Sequence, residues 1–215
     1  MKLSVKICGC NSRDAVTTAV GGGADFVGFV FYSPSPRSVS ADAAAQLAAL
    51  VPERVQRVAL FVDPDDETLR RVTAQVKLDL LQLHGSETPD RVGAIKRLTG
   101  LPAMKAIKVA VAADVDDAKP FIGIADRLLF DAKVPSSLAG ALPGGNAVSF
   151  DWALLSGKSW PVPWMLSGGL NAENIADAVR ISGARVVDVS SGVESKPGVK
   201  DPARIRAFLA VASAL

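Results

Sequence analysis

A cysteine and an aspartate, far apart in the chain, are the side chains best suited to transfer protons. Cys8 follows the strand candidate Leu3–Ile7, and Asp131 follows the strand candidate Arg127–Phe130. A thiolate can act as a base and a protonated carboxyl as an acid, so the two together could move protons on one substrate. Taken alone, a cysteine is more often a small buried apolar residue and an aspartate more often a helix cap, so their positions in the fold must decide.

Two glycine-containing segments have the composition of anion-binding loops. Ser167–Leu170 leads into a helix candidate that starts at Asn171, and Ser190–Gly192 follows the last strand candidate. Glycines let backbone amides approach an anion closely, and a helix N-terminus adds partial positive charge. Either segment alone could be a simple tight turn, but two of them after neighbouring strands predict a phosphate site.

Eight strand candidates alternate with amphipathic helix candidates along the chain. The strand candidates are short runs rich in Val, Ile, Leu and Phe: Leu3–Ile7, Asp25–Phe31, Val55–Val62, Asp79–Leu83, Ala103–Val109, Arg127–Phe130, Val162–Leu166 and Arg185–Val189. The helix candidates include Ser12–Val20, Ala41–Leu50, Asp65–Val76, Pro89–Leu98, Asn171–Ile181 and Asp201–Ala214. This alternation predicts an α/β protein with a parallel sheet, and eight units predict a (β/α)8 TIM barrel in a single domain over residues 1–215. A doubly wound open sheet, which usually has fewer strands, is the alternative.

Four polar residues are predicted to cap helix N-termini: Ser12, Ser40, Asn171 and Asp201. Each has a side-chain oxygen that can accept from the N–H groups of the first turn. Pro202 suits the first helical position after Asp201, because it has no N–H to leave unpaired there.

The first strand carries a lysine on the face that would point into a barrel. Alternation along Leu3–Cys8 puts its apolar residues on one face, and Lys6 and Cys8 on the other. In the last strand, alternation likewise separates Asp188 from the valines beside it. The first and last strands are neighbours in a closed barrel, and an inward charge needs a partner, so we predict that Lys6 and Asp188 pair inside it.

In barrels of this class the active site forms at the C-terminal ends of the strands. The residues at those ends are Cys8-Gly9, the Ser33–Ser38 loop, Asp63, His84-Gly85, Asp131, the Gly144-Gly145 loop, Ser167–Gly169 and Ser190–Gly192. We therefore expect Cys8 and Asp131 to face one another across the barrel mouth.

Composition and charge argue against several function classes. The chain has 215 residues, 49% of them hydrophobic, and a formal net charge of +2 without a basic tract, so nucleic-acid binding is not indicated. Its apolar runs are too short for a membrane span and its N-terminus lacks a signal-peptide pattern, so we expect a cytoplasmic protein that binds neither nucleic acid nor membrane. Cys8 and Cys10 lack a second ligand pair for zinc, and the single histidine, His84, cannot build a His-rich metal site.

Several other polar and aromatic residues are interpreted as structural. We expect His84 to be a hydrogen-bonded histidine on the rim, Cys10 to be an inert buried thiol, and Asp63 to cap a helix that starts at Pro64. Three tryptophans are expected to pack rather than to stack on a ligand: Trp152, Trp160 and Trp164.

Short motifs follow one another along nearly the whole chain. They are Lys6-Ile-Cys-Gly9 with Asp14-Ala15, Gly23–Phe31 followed by Ser35-Pro-Arg37 and Val39-Ser40, Leu81-Gln-Leu-His-Gly85, Phe130-Asp-Ala-Lys133, Phe150-Asp-Trp152, Ser167-Gly-Gly-Leu170 with Asn174, and Asp188–Glu194 followed by Pro197–Asp201. Each motif alone is weak evidence. The ordered set, however, resembles the phosphoribosylanthranilate isomerase family of tryptophan biosynthesis.

The resemblance implies an aldose–ketose isomerase, an intramolecular oxidoreductase, that needs neither cofactor nor metal. The implied reaction is an Amadori rearrangement of N-(5-phosphoribosyl)anthranilate to 1-(2-carboxyphenylamino)-1-deoxyribulose 5-phosphate. Asp131 would be the general acid that protonates the ribose ring oxygen, and Cys8 the general base that removes the C2′ proton. Arg37 would bind the anthranilate carboxylate, which a guanidinium fork matches. The backbone of five residues would hold the phosphate: Gly168, Gly169, Ser190, Ser191 and Gly192. The partner would be this small molecule alone, and the enzyme a monomer or homodimer.

Three positions, in two segments, depart from the family pattern. The family's Gly-Gly-Thr-Gly stretch before Phe150 reads Gly144-Gly-Asn146-Ala147 here. Asn146 still offers a side-chain hydrogen bond, but Ala147 tolerates a positive φ less well than glycine does. The family's alanine before Gly-Gly-Leu is Ser167, which adds a hydroxyl near the predicted phosphate loop.

Other function classes are alternatives. A metal-dependent epimerase should have several histidines, and an indole-forming synthase a Lys and Glu pair at other strand ends; the sequence shows neither pattern. From a different class, a phosphate-binding or regulatory barrel would hold the same ligand without turning it over. A redox sensor based on Cys8 and Cys10 is a third alternative, although the single intervening residue would strain the disulfide.

Overall fold

The computed structural model describes residues 3–134, 144–145 and 148–215, and these contain a closed barrel of eight parallel strands. The strands, in chain order and neighbouring order alike, are β1 (Ser4–Cys8), β2 (Phe26–Phe31), β3 (Gln56–Phe61), β4 (Leu80–Leu83), β5 (Ala103–Val109), β6 (Arg127–Ala132), β7 (Trp164–Leu166) and β8 (Val186–Val189). β8 pairs with β1, and in that register Lys6 lies opposite Asp188. The predicted (β/α)8 barrel is confirmed, and the open-sheet alternative is wrong.

Helices surround the strands. They are α1 (Arg13–Gly21), α2 (Ala41–Ala48), α3 (Asp66–Gln75), α4 (Pro89–Thr99), α5 (Ala112–Val115), α6 (Ile175–Ser182) and α7 (Pro202–Ser213). Short 3-10 turns occur at Asp116–Phe121, Trp152–Leu155 and Ser191–Val193, and after β8 the chain forms a two-stranded ribbon of β9 (Glu194–Lys196) and β10 (Val199–Lys200). Within the described ranges, no helix has the length and apolar character to cross a membrane.

The predicted caps are confirmed at three of the four positions. Ser12 accepts from Ala15 N at 3.2 Å, and Ser40 accepts from its own helix in the same way. Asp201 accepts from two N–H groups of α7, with Pro202 as the first helical residue. These side chains satisfy N–H groups that a helix cannot pair internally.

The predicted start of α6 is wrong by one turn. Asn171 Oδ1 accepts from the N–H groups of Glu173 and Asn174, at 2.8 and 3.1 Å. This closes an Asn-type turn before the helix, which then begins at Ile175. The predicted β7 is also too long at its start, because Pro161 and Pro163 flank Val162 and lack the N–H that a central strand needs.

Two apolar layers hold the barrel. The larger one lies between strands and helices and includes Ile7, Phe29 and Phe208, all fully buried. The smaller one fills the inside of the barrel: Phe26, Val58, Leu80, Met104, Ala106, Leu129 and Met165. These residues come from the first halves or the middles of their strands, so the C-terminal ends are free to carry polar side chains. That end of the barrel is where the candidate site lies.

Candidate active site

A cavity opens at the C-terminal ends of the strands, with an empty space of about 770 Å³ including the part open to solvent. It brings together seven of the eight predicted site residues: Cys8, Arg37, Asp131, Gly168, Gly169, Ser190 and Ser191. Gly192, the eighth, does not line the cavity. Its Cα packs against the Leu170 carbonyl so closely that no Cβ would fit, so it lets the two glycine-containing loops meet.

Cys8 is the last residue of β1 and is buried at the edge of the cavity. A Cβ at Gly28 on the neighbouring strand would lie 3.1 Å from Cys8 Sγ, so the thiol has room only because residue 28 has no side chain. Burial raises the pKa of the Cys8 thiol, while the nearby Lys6 ammonium works in the opposite direction. The thiol is therefore the resting form, and the adjacent cation lowers the cost of forming the thiolate.

Lys6 is fully buried and donates to Asp188 Oδ1 at 2.9 Å, as predicted from the alternation of faces. Burial disfavours the ammonium, but Asp188 and Cys8 together oppose it and raise the pKa of Lys6 above its usual value. Ser167 donates to the other oxygen of Asp188 at 3.4 Å. The hydroxyl of Ser167 therefore supports the Lys6–Asp188 pair.

Asp131 lies within β6 rather than after it, and its carboxyl is buried on the cavity side. Asp131 Oδ2 is 3.1 Å from His84 Nε2, and His84 Nδ1 is 2.8 Å from Gln82 Nε2. The prediction of a hydrogen-bonded histidine at the end of β4 is confirmed, and His84 is buried there, only 4% exposed. A signal for the Gln82–His84 contact was present in the sequence, because residues two apart at the end of a strand point to the same side.

Gly144 and Gly145 lie directly over the polar side chains of the site. A Cβ on Gly144 would be 2.8 Å from His84 Nε2 and 3.1 Å from Asp131 Oδ2. Gly145 has φ +76° and lies against the Arg37 guanidinium. Both glycines thus let bare backbone approach polar side chains. Asn146 and Ala147, where the sequence departs from the family pattern, lie outside the described residues.

Arg37 is held by a carboxylate that the sequence analysis did not assign. Its Nε and Nη2 each donate to a different oxygen of Glu194 at 2.8 Å, and Nη2 also donates to Gly145 O at 3.1 Å. This two-pronged geometry fixes the plane of the guanidinium. The Nη1 edge lies toward Gly145 and the cavity.

Glu194 also accepts from Lys200 Nζ at 2.6 Å, and Lys200 donates to Ser190 O at 2.9 Å. Although burial favours its protonated form, Arg37 and Lys200 together hold the pKa of Glu194 below its usual value. Burial lowers the pKa of Lys200, and Glu194 opposes this. Two residues of the ribbon after β8 therefore connect Arg37 to the Ser190 loop: Glu194 binds Arg37, and Lys200 binds both Glu194 and Ser190.

The loop after β7 has the backbone expected of an anion cradle. Gly168 and Gly169 have φ of +91° and +65°, in the region that favours glycine. Asn174 holds the loop by donating to Gly169 O at 3.0 Å. Beside it, Ser190 Oγ donates to Cys8 O at 3.2 Å, which ties the second loop to the end of β1.

Two further side chains have structural roles. Asp63 does not cap a helix at Pro64, because α3 begins later with Asp65 as its cap. Instead, Asp63 has φ +46° and accepts from Ser86 N at 2.7 Å, so the predicted cap is wrong. Cys10 is buried in the apolar layer outside the barrel, whereas Cys8 lines the cavity.

The tryptophans pack as predicted. Phe130 contacts both Trp160 and Trp164, with ring centroids 5.1 and 5.7 Å apart, and Trp152 packs against the outer apolar layer. Among the residues that the structure describes, no three His, Cys, Asp or Glu side chains cluster as metal ligands would.

Residues 5–211 match the model of the N-(5′-phosphoribosyl)anthranilate (PRA) isomerase family. The chain is 60% identical over 215 residues to the N-(5′-phosphoribosyl)anthranilate isomerase of Rhodospirillum centenum, covering 100% of both chains. It is 58% identical over 212 residues to that of Paramagnetospirillum magneticum, covering 99% of this chain and 98% of the relative. The structure of phosphoribosyl anthranilate isomerase from Thermotoga maritima is similar, with a TM-score of 0.87, 36% identity, and coverage of 99% of this chain and 100% of that one. Another isomerase structure, at TM-score 0.83 and 33% identity over 99% and 100% of the two chains, was solved in complex with reduced 1-(o-carboxyphenylamino)-1-deoxyribulose 5-phosphate.

Proposed function

The chain belongs to the N-(5′-phosphoribosyl)anthranilate isomerase family, and we propose that it performs this isomerisation with Cys8 as general base and Asp131 as general acid. The observation that supports these roles most directly is the shared cavity. Two proton-transfer groups, from the first and sixth strands, line the same space together with a buried arginine and two glycine-containing loops. The substrate has three parts that must bind in one site. The arginine suits its aromatic carboxylate, the two proton-transfer groups suit its ribose, and the glycine-containing loops suit its phosphate.

The first step is the opening of the ribose ring. Asp131 gives its proton to the ring oxygen, the bond from that oxygen to C1′ breaks, and the lone pair of the anthranilate nitrogen forms the C1′=N bond of a Schiff base. The carboxyl must carry its proton when the substrate binds, and its burial beneath Gly144 keeps water away from it. A positioned acid of this kind commonly contributes 10²–10⁴-fold to rate, as an order of magnitude.

The second step moves hydrogen from C2′ to C1′. The Cys8 thiol first releases its proton to solvent. The thiolate then removes the C2′ proton, the C–H electrons form the C1′=C2′ bond of an enolamine, and the nitrogen regains its lone pair. Tautomerisation then places a proton on C1′ and leaves a ketone at C2′. C2′ is thus oxidised and C1′ reduced within one molecule, so the enzyme is an intramolecular oxidoreductase, and no external redox partner or metal is required by the balance.

The two ends of the substrate bind to different walls. The Nη1 edge of Arg37 is suited to the anthranilate carboxylate, since Glu194 already holds the other side of the guanidinium. The backbone of Gly168, Gly169 and Ser191 is suited to the phosphate, with Ser190 beside it. Gly192 contributes by allowing the two loops to pack together.

Other properties follow from the family and from this reaction. Residues 1–215 form one catalytic domain, in line with the family match over residues 5–211. A dimeric isomerase is known from Thermotoga maritima, and for this chain a monomer or a homodimer accounts equally well for a site built from one chain. We propose a cytoplasmic location, which suits a biosynthetic enzyme with a small phosphorylated substrate.

The experiment that tests the proposal follows the loss of fluorescence of N-(5-phosphoribosyl)anthranilate, made in the cuvette from anthranilate and phosphoribosyl pyrophosphate by a phosphoribosyltransferase. Wild type is compared with Cys8→Ser, Asp131→Asn and, as a matched control, Cys10→Ala. Rapid loss in wild type and the control, with kcat at least about 10²-fold lower in the other two, supports both roles.

Two results would contradict the proposal. A folded wild type without activity would favour a barrel that binds the phosphorylated ligand without turning it over. A Cys8→Ser or Asp131→Asn variant with nearly full kcat would remove that residue from its role. Binding of the reduced product analogue to each variant shows that the cavity is intact, so a loss of turnover can be assigned to chemistry.

A further inference from the structure

A chain of three buried side chains leads from the inside of the barrel to the proposed acid. Gln82 is fully buried, and its Nε2 lies 2.8 Å from His84 Nδ1. His84 Nε2 in turn lies 3.1 Å from Asp131 Oδ2. The side chains of His84 and Asp131 are 5% and 7% exposed, so water does not compete strongly for these contacts. The inference below rests on the proposed role of Asp131.

The amide of Gln82 determines which nitrogen of His84 carries the proton. An amide nitrogen has two N–H donors and no acceptor, so His84 Nδ1 must accept from it. In the neutral imidazole the proton is then on Nε2, which faces Asp131 Oδ2 and donates to it. The tautomer of the histidine is thus set by its neighbour on the same strand.

The orientation of the Gln82 amide has a physical reason. In this orientation Gln82 Oε1 is left without a hydrogen-bond partner among the described residues. The opposite orientation would pair Oε1 with an Nδ1–H group but would take the NH₂ group away from His84. Unpaired buried N–H groups are rarer in proteins than under-satisfied carbonyl oxygens, so the orientation with Nε2 on His84 is favoured.

We infer that Gln82 is a positioning residue, which holds His84 as the Nε2–H tautomer and thereby keeps the transferable proton of Asp131 on Oδ1. Oδ2 receives the N–H of His84 and cannot donate to it. The proton of the carboxyl therefore has to be on Oδ1. When Asp131 gives this proton to the substrate, the carboxylate that forms is already hydrogen-bonded through Oδ2.

The opposite tautomer would misdirect the acid. With the proton on Nδ1, His84 Nε2 would present a lone pair to Asp131, and the carboxyl would donate its proton to the histidine from Oδ2. Gly144 covers this pair with bare backbone, so neither the imidazole ring nor the carboxyl group can turn away to avoid the contact. Gln82 then affects the rate of ring opening without touching the carboxylate or phosphate subsites.

The tautomer can be measured directly because His84 is the only histidine in the chain. Nitrogen-15 NMR of the untagged, histidine-labelled protein reports Nδ1 and Nε2 separately, with no assignment problem. The inference expects a protonated Nε2 and an unprotonated Nδ1 in wild type. A wild-type spectrum with the proton on Nδ1 would overturn it, whatever the activity of the enzyme.

Two substitutions test the effect on catalysis. Gln82→Met keeps the volume of the side chain but removes the donor, so the spectrum should show the Nδ1–H form and kcat should fall about tenfold or more, with KM nearly unchanged. Gln82→Glu replaces the donor with an acceptor and should protonate Nδ1 more completely. Gln46→Met, the same change on the exposed side of α2, is the control and should leave both spectrum and kcat as in wild type.

The outcomes separate the inference from the proposed function. Loss of kcat in Gln82→Met together with a changed tautomer supports it. Unchanged kcat with a changed tautomer overturns the inference. An increase in KM without a fall in kcat overturns it as well. If the Gln82→Glu chain fails to fold, Gln82→Met and the wild-type spectrum still decide. If wild type has no isomerase activity, the proposed function fails, while the spectrum still reports whether Gln82 sets the tautomer.

Discussion

Lys6 and Asp188 are 182 positions apart in the chain, yet the Lys6 ammonium donates to Asp188 Oδ1 at 2.9 Å across the seam where β1 meets β8. Both side chains are almost fully buried. Each charge lowers the free-energy cost of burying the other inside the barrel, since a buried ion without a partner strongly destabilises the fold. The same ammonium lies beside Cys8, so the pair joins barrel closure to the electrostatics of the proposed base.

Removing one member of this pair should destabilise the barrel strongly. Lys6→Met leaves Asp188 as a buried, unpaired charge, and the free energy of unfolding should fall by about 3–5 kcal/mol. The double variant Lys6→Met/Asp188→Leu removes both charges and should lose much less than the sum of the two single variants. Urea unfolding, followed by circular dichroism, measures the free energy of unfolding of wild type, Lys6→Met, Asp188→Leu and the double variant.

The exposed pair of Lys77 and Glu53 offers the matched control. Their side chains are 61% and 80% exposed, so Lys77→Met should leave the unfolding midpoint as it is, because solvent screens such pairs. Strictly additive losses in the Lys6 and Asp188 variants would show that the two charges do not depend on one another.

The buried Cys10 thiol should make stability depend on pH in the alkaline range. Burial raises the pKa of Cys10 to about 12, whereas a thiol in the unfolded chain ionises near about 8.5. Its contribution is fully present below about pH 8.5 and is lost as pH rises toward the folded value, because only the unfolded state releases the proton. The free energy of unfolding should therefore fall with pH above this point, and less steeply in Cys10→Ala.

Unfolding curves at several pH values from neutral to alkaline give these slopes. Cys8 contributes in the same direction, since burial also raises its pKa, so some dependence should persist in Cys10→Ala. Equal slopes in wild type and Cys10→Ala would mean that the Cys10 thiol ionises alike in both states.

Strand alternation carries most of what could be predicted about the barrel and its proton-transfer pair. Side chains on a strand point to alternate faces, so Lys6, Cys8 and Asp188 could be placed inside the barrel from the first and last strands alone. Asp131 could be placed near the barrel mouth because it follows the sixth strand candidate, and active sites of such barrels form at the C-terminal ends of the strands. Such predictions succeed because barrel closure follows from the number of units and the pairing of neighbouring strands.

The partners of these residues could not be predicted, because they come from loops whose path depends on the whole fold. Glu194 reaches Arg37 only because the chain turns back as a ribbon after β8, and no local pattern indicates that return. Asp63 similarly accepts a hydrogen bond from Ser86, in the loop after β4, instead of capping its own helix. The contact of His84 with Asp131 likewise depends on the curvature of the barrel, so it could not be predicted from the sequence.

Glu194→Gln should weaken substrate binding more than turnover. The glutamate fixes the Arg37 guanidinium by two hydrogen bonds of 2.8 Å and pairs with Lys200. A neutral amide retains one acceptor, so Arg37 loses its fixed plane and both cations lose their counter-ion. Because the anthranilate carboxylate is held alike in substrate and transition state, KM should rise about tenfold while kcat changes little.

Initial rates over a range of substrate concentrations separate these two constants. Glu67→Gln, at an exposed position of α3, is the control for the same chemical change. A fall in kcat at constant KM would indicate that Glu194 acts on the reacting atoms instead of on Arg37.

Gly144→Ala should reduce turnover because the new methyl group has no room. The Cβ would lie 2.8 Å from His84 Nε2 and 3.1 Å from Asp131 Oδ2, so either the loop or the acid must move. A displacement of about 1 Å in a catalytic group can cost about 10²-fold in rate. We therefore expect kcat to fall by about that factor, with the unfolding midpoint little changed. Gly21→Ala, at the end of α1 where a Cβ meets nothing within 4 Å, is the control and should keep full activity. Full kcat in Gly144→Ala would show that this loop does not close on Asp131 during the reaction.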